Sequence, residues 1–285
     1  MNTFYVLSNP QKDPAMEMAG FIKEYLESQG KICYIQEKES NAHMTHYKYT
    51  DARKIPKDTE CVLVLGGDGT LLQAARDLVA LQLPLLGVNM GTLGFLAEVE
   101  HGNIRPALDK LIADDFFIEN RMMLDGRARH QGRTLLSDIA LNDIVIRRNG
   151  RLRMVEFRVF VDNVFLTAYT ADGIIISTPT GSTGYNLSIG GPIVAPQASL
   201  MVMTAIAPHT LTSRPIILPE NVEIKIEVSS ASPDQPDGAE AIYDGDTSVK
   251  LNAGDQIIIK KSGQQARLIR MNNASFLEIP RSKIN

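Results

Sequence analysis

Residues 61–81 read CVLVLGGDGTLLQAARDLVAL. The run VLVL (62–65) has the length and composition of a buried strand, and TLLQAARDLVAL (70–81) has helical spacing. A strand that passes straight into a helix is half of a β-α-β unit, which predicts a parallel sheet with helices packed on it. Between the two lie three glycines around a single acid. A turn needs fewer; glycines strip away side chains and let a ligand approach the main chain. The start of a helix presents free N–H groups that attract phosphate. Gly66, Gly67, Gly69 and Thr70 are therefore candidate phosphate-binding residues, and Asp68 is the only functional side chain in the cradle. A tight turn with Asp68 or Thr70 as N-cap uses the same residues. The stretch is not a Walker A loop, since no Gly-Lys-Ser/Thr follows. Nor is it a Gly-x-Gly-x-x-Gly fingerprint, because Leu72 stands where the last glycine would be.

The sequence on either side supports an α/β domain over 1–115. TFYVLS (3–8), KICYIQ (31–36) and LPLLGVN (83–89) read as further strands. Residues 14–29 follow helical spacing and stop at Gly30, and 103–113 form a closing helix. The polar, weakly patterned stretch 38–59 reads as loop with some helix. From 116 the pattern changes to short strands divided by Gly, Asn and Asp: RMMLDGRAR, LSDIALNDIVIR, MVEFRVFVDNVFLTAYTADGIIIST, VEIKIEVSS, AIYDGDTSVKL, DQIIIKKS and ARLIRM. These predict a β-rich domain over 116–270, with 271–285 as a C-terminal tail. SSASPDQPDGAE (229–240) reads as an exposed loop.

The 285 residues are 44% hydrophobic and 22% charged, with a net charge of −4. That is ordinary for a globular protein and lacks the basic surplus of a nucleic-acid binder. Cys33 and Cys61 sit in apolar runs and read as buried thiols, with no disulfide framework or zinc spacing. The N-terminus is not a signal peptide, and no run approaches the ~18 apolar residues of a membrane span. A cytoplasmic protein without membrane partners is expected.

Three further stretches carry chemistry. GVNMGTLGFL (87–96) follows the fourth strand. Asn89 falls at that strand's carboxyl end, beside the GGDGT loop if the two strands are neighbours, and Phe95 either packs on a flat ligand ring or belongs to the core. DGIIISTPTGSTGYNLSIGGPI (172–193) joins a pure strand to a loop dense in hydroxyls and glycines. Such a loop offers many uncharged donors, suited to ribose and adenine edges. Asp172 precedes that strand, placed to meet a ligand hydroxyl or cap a turn. ALNDIVIR (140–147) puts Asn142-Asp143 inside a strand pattern and breaks its alternation, as a bulge or a functional patch does. There is no His-Glu-x-x-His, Cys-x-x-Cys or Gly-x-Ser-x-Gly motif.

In this order, GGDGT (66–70), NMGTLGFL (89–96), LNDIV (141–145), DGIIISTPTGSTGYNLSIGGP (172–192) and PHTLTSRP (208–215) resemble the NAD kinase family over roughly residues 60–250. GGDGT alone is weakly specific, being shared with diacylglycerol kinase-like and phosphofructokinase-like enzymes; the 172–192 stretch is highly specific. The resemblance implies an N-terminal α/β domain, a C-terminal β-sandwich-like domain, and a chain end that returns to the first domain. It implies a homodimer or homotetramer with NAD bound between the domains and near a neighbouring subunit. The implied reaction moves a phosphoryl group from ATP, or in some members polyphosphate, to the 2′-hydroxyl of the adenosine ribose, with a divalent metal, usually Mg²⁺. Asp68 matches the proton acceptor and Gly69 a dinucleotide contact. Phe95, Asn142, Asp143, Arg153 and Asp172 match NAD-site positions. Thr183, Gly184, Tyr185, Asn186, Leu187 and Ser188 match the segment around the adenosine. Asp143 stands where the family usually has Glu and Gly184 where it commonly has Ala; Thr170 and Asp246 replace the Arg/Lys and Gln of some members. A diacylglycerol-type lipid kinase and a non-catalytic dinucleotide sensor are the alternatives. The hydroxyl-rich loop speaks against the first, and the retained Asp68 against the second.

Overall fold

The computed structural model describes residues 1–9, 16–36, 50–91, 94–149, 155–210, 213–230 and 238–271. The chain forms two compact units, one holding Met1–Arg121 and the strand end from Gln265, the other Met122–Gln264.

The first unit runs β1 (Thr3–Ser8), α1 (Glu17–Ser28), β2 (Ile32–Ile35), β3 (Cys61–Gly66), α2 (Asp68–Leu78), β4 (Leu85–Asn89), β5 (Val99–Glu100) and α3 (Ile104–Ile112). Its strands lie in the order β4-β3-β1-β2, all parallel, with Val62 opposite Leu85, Phe4 opposite Cys61 and Phe4 opposite Cys33. Every residue of β1, β3 and β4 is buried, as in a parallel sheet covered on both faces. Phe4, Val6, Ile22, Leu26, Leu63, Leu65, Leu108 and Leu111 form the core, and Gly30 at φ 71° closes α1. The TFYVLS strand appears over its full length. The second helix starts two residues earlier than its pattern indicates, at Asp68, and gives way to a 3₁₀ turn at Val79–Leu81.

The second unit begins within β6 (Phe117–His130) and continues through β7 (Arg133–Ala140), β8 (Asp143–Asn149), β9 (Val155–Val161), β10 (Val164–Ala171), β11 (Gly173–Ser177), α4 (Tyr185–Ser188), β12 (Leu200–Ile206), β13 (Ile216–Pro219), β14 (Ile224–Ser230), β15 (Gly238–Tyr243), β16 (Thr247–Leu251) and β17 (Gln256–Arg270). One antiparallel sheet has the order β13-β12-β11-β8-β15-β16. Facing it are β10-β9-β14 and the first part of β17, also antiparallel. Alternate residues of the two layers interdigitate: Ile144, Ile146, Ile174, Ile176 and Tyr243 from one; Phe157, Val159, Ile224, Ile226 and Ile257 from the other.

Three local expectations differ. LSDIALNDIVIR is two strands broken at Leu141-Asn142. DQIIIKKS and ARLIRM are one strand, because the exposed polar residues between them stay extended within β17. Strands β12 and β13 are additions: LMVMTAI lacks the alternation and the turn signals that mark the others. Near its end β17 joins the first unit, pairing parallel with β4 at Leu268 and Leu85, and Ile269 and Met271 lie in that unit's core. Arg153, most of the 229–240 loop, much of 38–59, and the tail beyond Met271 fall outside the described residues.

Candidate active site

In the first unit the candidate residues gather at the carboxyl edge of the parallel sheet, where ligands of open α/β sheets bind. The sequence puts them there because β1, β3 and β4 are neighbours: Ser8 pairs with Leu65 and Gly66 with Asn89. Gly67 is the N-cap of α2, extended and without a side-chain cap, so Asp68 is the first helical residue rather than the cap. Its carboxylate is turned instead toward the loop after β4. Oδ2 accepts from Phe95 N at 2.6 Å; Oδ1 accepts from Leu96 N at 3.2 Å and Ala97 N at 3.3 Å. A carboxylate has about four lone-pair sites, so roughly one stays open for a further donor.

Thr70 is buried, and its hydroxyl accepts from Asn9 Nδ2 at 3.1 Å. Its backbone N–H donates to Gly67 O at 3.0 Å, so Thr70 braces the loop from within and is a support rather than a phosphate donor. Gly69 is exposed and Gly67 half-buried. Gly66 lies against Thr70, where an added Cβ would fall 2.4 Å from Oγ1. Asn89 is 2% exposed. Its Oδ1 accepts from Gly91 N at 3.0 Å, and its Nδ2 meets no hydrogen-bond partner among the described residues. A buried amide with an unused donor is costly unless a ligand completes it. Phe95 is half-buried, neither core nor fully presented.

In the second unit the centre is the corner between β7 and β8. The break in alternation at Asn142-Asp143 is neither bulge nor strand interior: the chain turns there. Three successive N–H groups, of Leu141, Asn142 and Asp143, donate to the Asp244 carboxylate at 2.7, 2.8 and 3.1 Å. Two of the corner's carbonyls hold Thr178. Leu141 O accepts from Thr178 Oγ1 at 2.6 Å, and Asn142 O from Thr178 N at 2.9 Å. The STPTGSTGYN loop is thus built onto the corner. Gly181 has no alternative there, because a Cβ would lie 2.1 Å from Asn142 O.

Asp143 is buried, and burial, with the Asp244 charge adding to it, pushes its carboxyl up to about 7. A cavity of about 370 Å³ opens beside it, lined by Asn142, Asp143, Arg147, Tyr185 and Asp244 among others. A second, also about 370 Å³, is lined by Arg148, Asp172 and Tyr185 among others. Asp172 accepts from Arg148 Nε at 2.7 Å, and its side chain remains 42% exposed.

The adenosine segment divides in two. Tyr185 is 45% exposed and lines both cavities; Ser188 is exposed, and Thr183, Gly184 and Leu187 are half-buried. Asn186 is fully buried: its amide donates to Ser182 O at 3.2 Å and Pro192 O at 3.1 Å and accepts from Thr204 Oγ1 at 2.8 Å. Its side chain is spent on the loop's interior. The family's commoner alanine at 184 would put a Cβ 3.2 Å from Gly181 O and 3.6 Å from Asn142 Nδ2. Asp244 was not singled out in the sequence. YDGD reads as a hairpin turn, and it is one, with Asp244 and Gly245 at positive φ; nothing local reveals that the turn's acid caps a distant corner. Among the described residues, no group of three or more His, Cys, Asp or Glu could hold a metal ion. No helix among them is long and apolar enough to cross a membrane.

Two sequence-family models match: the ATP-NAD kinase N-terminal domain over residues 5–116 and the ATP-NAD kinase C-terminal domain over 141–271. The chain is 42% identical to an NAD kinase of Lachnoclostridium phytofermentans, covering 99% of each sequence. It is 41% identical to one of Lachnospira eligens, covering the whole of both. Among solved structures it resembles yeast NADH kinase complexed with NADH, with a TM-score of 0.83 and 26% identity, over 100% of this chain and 87% of that one. An NAD kinase from Archaeoglobus fulgidus in complex with ATP shares the fold at a TM-score of 0.74 and 23% identity, over 100% of this chain and 98% of that one.

Proposed function

The chain belongs to the NAD kinase family, and from that premise we propose how its own residues carry the phosphoryl transfer. The reaction class is that of a phosphotransferase acting on NAD. The phosphoryl group goes from ATP, or polyphosphate, to the 2′-hydroxyl of the adenosine ribose. Such transfer depends on alignment and charge neutralisation more than on covalent help.

The observation that carries the assignment is the Asp68 carboxylate, pinned at the start of α2 by three backbone N–H groups. Those bonds fix its direction and leave about one acceptor site open. Asp68 orients the acceptor hydroxyl and receives its proton late, as the new bond forms. The N–H groups of Gly67 and Gly69 and the unused Asn89 amide supply donors for phosphate oxygens. Asn142, Asp143, Asp172, Tyr185 and the backbone of 183–188 recognise the dinucleotide. Mg²⁺ suits hard oxygen donors and would enter on the substrate phosphates, since the one open site of Asp68 is taken by the acceptor hydroxyl. When bound, it neutralises phosphate charge.

The experiment is incubation of the purified protein with NAD, ATP or polyphosphate, and Mg²⁺, assayed for NADP. The unaltered chain forms NADP, and Asp68→Asn loses about 10²- to 10⁴-fold in kcat. Near-normal turnover by Asp68→Asn removes the assigned role. A homodimer or homotetramer and a cytoplasmic location complete the proposal; light scattering after gel filtration and cell fractionation test them.

A further inference from the structure

The Asn142-Asp143 corner is held by side chains from elsewhere in the unit. Its three N–H groups all converge on one carboxylate from the β15–β16 turn, and its carbonyls hold the Thr178 end of the hydroxyl-rich loop. The link is reciprocal, since Asp244 N donates to Asp143 O at 3.0 Å. Asn142, Asp143 and Asp244 line the same cavity, together with Arg147 and Tyr185. We propose that Asp244 is a positioning residue for dinucleotide recognition: its carboxylate sets the backbone of 141–143 and so places the Asn142 and Asp143 side chains in the cavity wall.

The chemistry favours a carboxylate there. Oδ1 serves Asn142 N and Asp143 N while Oδ2 serves Leu141 N. An asparagine keeps one oxygen and turns an NH₂ group against a third N–H, an unmatched donor pair. The same charge sits beside Asp143 and resists its ionisation. Among the described residues lining the cavity beside Asp143, the ionisable ones are Asp244 from its turn, Arg147 from β8 and Tyr185 from α4, and Asp244 is the one whose charge acts on Asp143. Removing the Asp244 charge therefore changes both the corner's geometry and the pH at which Asp143 titrates.

The inference rests on the reading of Asn142 and Asp143 as dinucleotide contacts. NADP formation by the unaltered chain tests that reading's reaction separately, and calorimetric NAD binding follows the corner whether or not turnover is seen. In Asp244→Asn, KM for NAD rises about tenfold while kcat stays within about threefold. The inflection of NAD affinity against pH, near 7 in the unaltered chain, moves to lower pH. In Asp143→Asn the inflection is gone, and adding Asp244→Asn then shifts nothing further with pH. A purely structural Asp244 lowers thermal stability and leaves KM and the inflection in place; that result overturns the proposal. Should Asp244→Asn not fold, Asp244→Glu, which keeps the charge but displaces it by one methylene from the three N–H groups, raises KM for NAD; an unchanged KM in that variant overturns the proposal equally.

Discussion

A Cβ built on Gly94 would fall 1.9 Å from Oδ1 of Asp68, so this glycine is the space the carboxylate occupies. An alanine at 94 must push Asp68 aside or open the loop that supplies the N–H groups of Phe95, Leu96 and Ala97. Displacement of about 1 Å at a reacting group costs about 10²-fold in rate. Gly94→Ala is expected to lower kcat about 100-fold with circular dichroism unchanged. Full activity in this variant means that Asp68 does not act from the position described.

Asp143 makes stability depend on pH. Its carboxyl, raised to about 7 by burial and the neighbouring Asp244 charge, keeps a proton in the native chain that the unfolded chain has already lost. Between about pH 4 and 7 the native state thus binds more protons, and stability falls as pH rises, by up to ~1.4 kcal/mol per pH unit, then levels off. Asp143→Asn removes this group's contribution. Urea midpoints at pH 5, 6 and 7 should fall for the unaltered chain relative to Asp143→Asn; parallel curves would show that Asp143 titrates normally.

Tyr185 and Asn186 are adjacent and should fail differently. Asn186 is fully buried with its amide bonded inside the loop, so Asn186→Ala strands the Thr204 hydroxyl and two carbonyls. The expected loss is about 2 kcal/mol of stability. Tyr185 is exposed beside the cavities, so Tyr185→Ala should change stability by about 0.5 kcal/mol or less and raise KM for NAD. Urea unfolding and NAD titration of the two variants check the contrast, which an equal stability loss would refute.

Much of the first unit was legible because local signals coincide with tertiary ones. TFYVLS begins and ends where the strand does, and the glycine loop lies at the sheet edge its pattern requires. Asn142, Asp143 and Tyr185, which separate motifs single out in the sequence, line one cavity in the structure. Asp244 was not legible, because its turn residues are ordinary and its partners lie about a hundred positions away, a relationship no local pattern encodes. Asn186 sits inside the same motif as Tyr185, but its side chain points inward, and the motif alone does not show that. The single span of β17 was hidden by the polar residues Gln264 and Gln265, which stay extended inside the strand without interrupting it.

The far end of β17 pairs with β4, and Ile269 and Met271 join Phe4 and Leu63 in one core. The α/β unit is therefore discontinuous in the gene. As the polypeptide leaves the ribosome, its first hundred or so residues emerge with two core side chains and a strand partner still unmade, and they wait for the whole β-rich unit to be synthesised before they can finish folding. Contacts of that sequence separation slow closure of the unit, and a fragment ending near Arg121 lacks part of its own interior.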